Sequence, residues 1–191
     1  MELFNMLVRP DSDKKWNLVW HRDDIPPSAT PSEEEGVLKR EAWHAQWNLA
    51  LYRDEALEVV PGSHLRARTD VERRITTLQN GDEEEMPGAV KVILEPGDVV
   101  FYDSNILHRG VYDPAVERMT LHGSVGHVRG SEARARNVLQ HGVGVYVADC
   151  DFGCLGGETE ERAVAEGMRE RLVAMGRERG GEGDVGYSLE G

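Results

Sequence analysis

The sequence predicts a mainly β protein, an antiparallel barrel or sandwich with a few peripheral α-helices, and three observations carry that expectation. Short segments of β-branched and aromatic residues recur along the first two thirds of the chain. Turn signals at Pro61-Gly62, Asn80-Gly81, Pro87-Gly88 and Pro96-Gly97 separate them at short, irregular intervals, unlike the regular alternation of βαβ units. The length of 191 residues, with 39% hydrophobic content and 21 glycines against 8 prolines, describes one turn-rich domain able to bury a core.

In chain order the expected strands are Leu3–Val8, Trp16–Arg22, Gln46–Tyr52, Leu57–Val60, Val90–Leu94, Asp98–Tyr102, Ile106–Val111, Arg118–Val128 and Val143–Ala148. Three helices are expected, at Asp70–Leu78, Glu132–Gln140 and Thr159–Met175. The last carries Val164, Met168, Leu172 and Met175 on one stripe, which should pack against the outside of a sheet. The domain is expected to span 1–178, with Gly180-Gly181-Glu182-Gly183-Asp184 marking 179–191 as a mobile tail.

Charge narrows the partners. Against 35 Asp and Glu stand 22 Lys and Arg, a net charge of −13, which argues against nucleic acid and anionic membrane surfaces, since both are bound by clustered cations. No apolar run approaches the roughly 20 residues of a membrane helix. Met1-Glu2-Leu3-Phe4-Asn5 lacks the basic and apolar regions of a secretory signal, so a cytoplasmic protein acting on a small molecule is expected. The acidic runs Glu33-Glu34-Glu35, Asp82-Glu83-Glu84-Glu85 and Glu158, Glu160 and Glu161 read as solvated charges in loops or at a helix start. Cys150 and Cys154 are too few for a zinc ribbon and read as reduced thiols near a turn.

One constellation carries chemistry. In Trp20-His21-Arg22-Asp23, at the end of an expected strand, residues two apart share a face, so His21 and Asp23 present an imidazole and a carboxylate together. Completed by a distant histidine, such a pair forms the facial triad of non-haem Fe(II) oxygenases, which leaves metal positions open for substrate and O₂. A lone His-x-Asp pair is weak, since chance alone supplies about half of one in a chain of this composition. A second block strengthens it. From Pro96-Gly97-Asp98 an apolar strand and a polar connection lead to His108-Arg109-Gly110, which can bring His108 back across a barrel to the same edge. Ten residues on, Arg118 and Thr120 share a face of the next strand and offer a guanidinium and a hydroxyl to one carboxylate, the grip a dicarboxylate cosubstrate needs. Taken singly, a barrel histidine is more often a hydrogen-bonded core residue, and a strand arginine more often pairs with an internal acid.

With Trp20-His21-Arg22-Asp23, Val59-Val60-Pro61-Gly62-Ser63-His64, the Pro96 to Gly110 block and Arg118-Met119-Thr120 in this order, the sequence resembles the phytanoyl-CoA dioxygenase-like family of Fe(II)/2-oxoglutarate oxygenases, closest to its fungal members of unassigned substrate. The resemblance implies a double-stranded β-helix, or jelly roll. It implies His21, Asp23 and His108 as ligands of Fe(II), Arg118 with Thr120 as the 2-oxoglutarate anchor, and O₂ as the oxidant. Gln46, Asn48 and Tyr52 share a strand face and are candidate pocket contacts, with a hydrogen-bonded interior as the alternative. His64 ends a turn expected to order the loop beside the site, and His122 keeps the parity of Arg118 and lines the pocket, whereas His127 is structural. His44 and His141 have no evident partner. Trp16 and Trp20, of opposite parity to His21, should pack in the outer core. Relatives of this kind carry further elements before the His-x-Asp strand, so the chain reads as N-terminally short. Three rivals stand beside the oxygenase: a jelly roll that binds without turnover, a cupin-type metalloenzyme that does not use 2-oxoglutarate, and a metal-free sugar- or lipid-binding jelly roll.

Overall fold

The computed structural model describes residues 3–39, 44–78, 84–126 and 147–178. Its strands are β1 (Leu3–Val8), β2 (Trp16–Asn17), β3 (His44–Ala50), β4 (Leu57–Val59), β5 (Val90–Lys91), β6 (Val99–Asp103), β7 (His108–Tyr112) and β8 (Met119–Gly126). They form two four-stranded sheets, ordered β1-β8-β3-β6 and β2-β7-β4-β5, with antiparallel pairing throughout. This is the mainly β, jelly-roll arrangement expected. No helix among the described residues is long and apolar enough to cross a membrane.

Register decides which side chains look inward, because successive residues of a strand point to opposite faces. Across the first sheet Asn5, His122 and Asn48 are direct neighbours, and so are Ser124, Gln46 and Tyr102. Together with Thr120 they give the face toward the second sheet a polar character. The opposite face carries Met6, Leu121, Leu49 and Val99 in one cross-strand row, and Met6 and Val99 are exposed there. Polar inside and apolar outside inverts the usual sandwich pattern, which marks the interior as a place where chemistry outranks packing.

The apolar core sits below this polar layer. Trp20, Val60, Ile75, Met86 and Leu107 form one cluster. Leu57, Val59 and Ile106 form another, with Val92, Val100 and Tyr102 packed against it. Two helices close over the loops: α1 (Pro31–Leu38) and α2 (Asp70–Ile75). Each begins with a capping box, Thr30 with Glu33 and Thr69 with Glu72, which satisfies backbone donors at the helix start. Pro31 opens α1, where its missing N–H costs nothing. Helix α1 is absent from the expectations above, although Thr30-Pro31-Ser32-Glu33 carries its start signal.

Several expectations need correction. Glu34 is not a solvated charge: it is completely buried. Its carboxylate accepts from the Arg68 backbone N–H at 2.6 Å and from Arg68 Nε, and pairs with Arg73 at 3.4 Å. The expected strand Trp16–Arg22 shrinks to β2 plus a single bridge at His21, and Val90–Leu94 to β5 plus a bridge at Leu94. Strand β3 ends at Ala50, before Tyr52. The C-terminal helix, α3 (Glu160–Glu178), packs, among the described residues, against two 3₁₀ turns, Val147–Asp149 and Gly153–Leu155. Cys150 follows the first of these turns and the exposed Cys154 lies within the second. Trp16 is half open to solvent and stacks on Tyr112, while Trp20 is buried as expected. The Glu132–Gln140 helix, most of the Val143–Ala148 strand, Asp82 and Glu83, His127, His141, the tail 179–191 and the side chain of His44 lie outside the described residues.

Removing one partner of a buried ion pair leaves an uncompensated charge. Glu34→Ala should therefore destabilise the fold by about 3–5 kcal/mol. Glu35→Ala, which removes an exposed pair with Lys39 one helical turn away, should cost less than about 0.5 kcal/mol. Urea titration of both variants tests the contrast.

Candidate metal centre

The site is assembled by loops that the strands pin together. His21 and His108 exchange backbone hydrogen bonds in both directions, each 3.1 Å. The Asp23 N–H donates to Ser104 O at 3.1 Å, so Asp23 arrives on a bend and not by strand parity. Between them Arg22 runs the other way, into the protein. Its guanidinium donates to three backbone carbonyls, Asn105 at 2.6 Å and Ser63 and Arg66 each at 3.0 Å. Burial lowers its pKa to about 10, which leaves it charged at neutral pH. Ser63 Oγ accepts from the Leu107 N–H at 2.7 Å, and Asn105 clasps Asp24 through its amide at 3.0 Å. The Pro-Gly-Ser-His turn thus acts through Ser63. Gly62 before it takes φ +78°, a conformation glycine adopts freely. His64 lies in the 3₁₀ turn Ser63–Leu65 and is not part of the metal cavity's lining.

His21, Asp23 and His108 come together, with one ligand atom from each lying within 4.8 Å of the others. Asp23 Oδ1 is 3.7 Å from His21 Nε2 and 3.6 Å from His108 Nε2, and the two imidazole centroids are 4.4 Å apart. Each ring is oriented by its own backbone. His21 Nδ1 lies 2.8 Å from Val19 O and His108 Nδ1 2.9 Å from Ile106 O. A proton on each Nδ1 makes the carbonyls acceptors and leaves both Nε2 lone pairs directed at the shared space, the tautomer a metal requires. Burial, and then the neighbouring His21, lowers the pKa of His108 to about 3. His21 shifts downward for the same first reason.

Further polar groups hold the carboxylate. Gln46 Nε2 donates to Asp23 Oδ2, and Tyr102 Oη donates to Gln46 Oε1 at 2.8 Å. Burial and the Asp23 charge push the Tyr102 pKa upward, so its hydroxyl stays a donor. Asn48 Oδ1 and His122 Nδ1 are 2.7 Å apart across β3 and β8. The cavity these residues line, about 180 Å³, also contains Arg118 and Tyr112. It is smaller than the roughly 300 Å³ at which pockets for drug-sized ligands begin.

Arg118 and Thr120 share an internal acid that sequence reasoning did not name. Arg118 Nε donates to Asp54 Oδ2 at 3.0 Å, and Thr120 Oγ1 donates to the same oxygen. Burial raises the Asp54 pKa, but Arg118, Thr120 and the Ala56 N–H outweigh it and hold the group below its ordinary value. Arg118 Nη1 is buried without a hydrogen-bond partner. Tyr52 does not join the site: the chain bends after β3, and its exposed ring lines a separate cavity. Arg22, Asp54, Tyr102 and Tyr112 were missed. For Tyr102 a signal existed, because it shares parity with Val100 and stands opposite Gln46 in register.

The family model for phytanoyl-CoA dioxygenase (PhyH) matches residues 2–111, more than half of the chain. The chain belongs to the phytanoyl-CoA dioxygenase family. The matched region contains His21, Asp23 and His108 and ends before Arg118. Two solved structures are similar. One is EvdMO1, at 23% identity over 65% of this chain and 26% of that one, with a TM-score of 0.42. The other is AviO1 from Streptomyces viridochromogenes Tue57, at 19% identity over 67% of this chain and 51% of that one, with a TM-score of 0.45. The chain therefore spans about a quarter and about half of their lengths. No curated protein matches it.

The depressed imidazole pKa values of this family member have a measurable sign. Unfolded histidine titrates near 6.5 and folded His108 near 3, so between these values the unfolded chain binds more protons. Metal-free protein should be most stable above pH 6.5 and lose about 1.4 kcal/mol per pH unit per imidazole as pH falls below it. Denaturant titrations at pH 7.5, 6.0 and 5.0 would measure this, and His108→Gln should flatten the slope.

Proposed function

We propose that this chain is an Fe(II)- and 2-oxoglutarate-dependent dioxygenase that oxidises a small organic molecule, of small-metabolite, lipid or natural-product type. The observation that carries the reading is one cavity: His21, Asp23 and His108 each bring a ligand atom within 4.8 Å of the others, and the same cavity is lined by Arg118, whose buried Nη1 has no hydrogen-bond partner. Family membership supports oxygenase chemistry in general. The donor set fits iron, since two neutral imidazoles and one carboxylate held by Gln46 are the ligands of a facial triad. An orphaned guanidinium N–H fits a carboxylate, the charge-assisted partner whose absence is costly in a buried site.

When bound, Fe(II) with 2-oxoglutarate and O₂ supplies the oxidising power, one oxygen atom going to the substrate while the oxo acid becomes succinate and CO₂. The chain's own residues do the rest. His21, Asp23 and His108 hold the metal. Arg118, fixed through Nε by Asp54, offers Nη1 to the oxo acid's distal carboxylate, and supplies the local cation that a dianion needs in a chain of net charge −13. Tyr102 and Gln46 keep Asp23 Oδ2 occupied, so that Oδ1 faces the histidines. The Asp54–Arg118 pair also favours one rival, a metalloenzyme that uses no oxo acid, in which the guanidinium's role is wholly internal.

Anaerobic loading with Fe(II) and 2-oxoglutarate followed by O₂ separates the two. Wild-type protein should release succinate even without a substrate, and His108→Ala should release none. Arg118→Ala should weaken 2-oxoglutarate binding about 100-fold, as expected for loss of charge-assisted hydrogen bonds, while Mn(II) affinity changes less than about threefold. Arg118→Lys, which keeps a cation for Asp54, should fall between. Metal-dependent oxidation indifferent to 2-oxoglutarate would establish the rival.

A further inference from the structure

Two cavities meet at one wall. Beside the metal cavity lies a larger space of about 550 Å³ whose lining includes Lys15, Arg53, Asp54 and Val116 and none of His21, Asp23 or His108. Size is therefore no guide to the chemistry, which belongs to the smaller space. Both cavities are lined by Ala56, Tyr112 and Arg118. Of these three, Ala56 contributes only a methyl group and Arg118 is tied through Nε to Asp54. Tyr112 supplies the bulk.

The Tyr112 ring is held from several directions. Trp16, its cross-strand neighbour, stacks on it with centroids 4.2 Å apart and planes 26° from parallel. The Arg118 guanidinium carbon lies 5.1 Å from the ring centroid, within cation–π range. Gly110, two residues earlier and so on the same face of β7, leaves the ring its place: a Cβ there would stand 2.5 Å from the phenolic oxygen. The ring consequently lies back along the strand over Gly110, in the direction of His108. It stands where the two cavities share a wall, beside Arg118.

We propose that Tyr112 is the specificity-determining residue for cosubstrate length, the end wall that fits the metal cavity to a five-carbon 2-oxo diacid and excludes longer ones. This rests on the reading that Arg118 receives the distal carboxylate of such an acid. A diacid held at the metal ligands by its oxo-acid end and at Arg118 by the other has its chain confined by whatever fills the space beside Gly110. Glycine at 110 and tyrosine at 112 form one device, because a side chain at 110 would displace the ring.

The test measures binding, with Mn(II) replacing iron under nitrogen and calorimetric titration of 2-oxoglutarate and of 2-oxoadipate, which is one methylene longer. Wild-type protein should prefer 2-oxoglutarate by about tenfold or more, the discrimination one methylene gives in a closed pocket. Tyr112→Ala should reduce that preference to less than about threefold, chiefly by tightening 2-oxoadipate binding, and Tyr112→Phe should retain it. If the alanine variant does not fold, Tyr112→Leu carries the same expectation with an apolar side chain kept in the strand. An unchanged preference in a smaller-residue variant with intact Mn(II) affinity overturns the proposal, and so does equal weakening of both acids. Wild-type protein that binds Mn(II) but neither acid overturns the cosubstrate reading beneath it.

Discussion

Everything at this site hangs on a guanidinium pointing away from it. Arg22 stands between His21 and Asp23 in the sequence, and its side chain is buried against the carbonyls of Asn105, Ser63 and Arg66. A cation so placed must find acceptors, since an unpaired buried charge is among the most expensive defects a fold can carry. Those acceptors lie in the two loops that also have to be placed, the one leading into His108 and the one following β4. The three bonds of the Arg22 guanidinium therefore help to set how His21, Asp23 and His108 meet. Glu72, paired with Arg66 through two contacts of 2.6 Å, and Glu34, paired with Arg68, spread the compensation outward into α2 and α1.

The two sheets divide the labour. The second, with Leu57, Val59 and Ile106, supplies packing. The first turns amides, hydroxyls and a histidine inward, where each finds a partner across a strand: Tyr102 with Gln46, Asn48 with His122, Thr120 with Asp54. Such a lining is stable only when its members satisfy one another, because the low dielectric that strengthens each bond also raises the cost of a missing one. Arg118 Nη1 is among the buried polar atoms that find no hydrogen-bond partner, together with Arg22 Nε, Trp20 Nε1, His64 Nδ1 and Arg73 Nη2.

Much of this was legible in the residues. That His21, Asp23 and His108 meet could be anticipated from the strand and turn signals between them together with the family resemblance, and an antiparallel β architecture from short strands broken by Pro-Gly turns. The capping signature at Thr30 to Glu33 was equally local and was overlooked. Glu34 was opaque for a different reason. Nothing within its own stretch distinguishes a buried carboxylate from the solvated ones beside it, since its partners Arg68 and Arg73 lie more than thirty residues away. Asp54 was hidden in the same manner, since only the closed barrel brings it to Arg118 and Thr120. Strand parity also failed past Ala50, where the chain bends and takes Tyr52 to the other side of the wall.

The reciprocal backbone bridge between His21 and His108 has a bearing on how long the folded molecule survives. Arg22 and Asn105, which tie the same two loops, are 83 residues apart, so the N-terminal ligand loop is held by contacts that close a very long stretch of chain and are entropically slow to form. An ion bound by His21, Asp23 and His108 would staple that closure. Any ligand that binds only the folded state stabilises it by mass action, about 2.7 kcal/mol when its free concentration is a hundred times its Kd. Under the oxygenase reading, iron supply would then bear on two quantities at once: the fraction of molecules able to turn over, and the fraction in which the loop carrying His21 and Asp23 stands open to a protease.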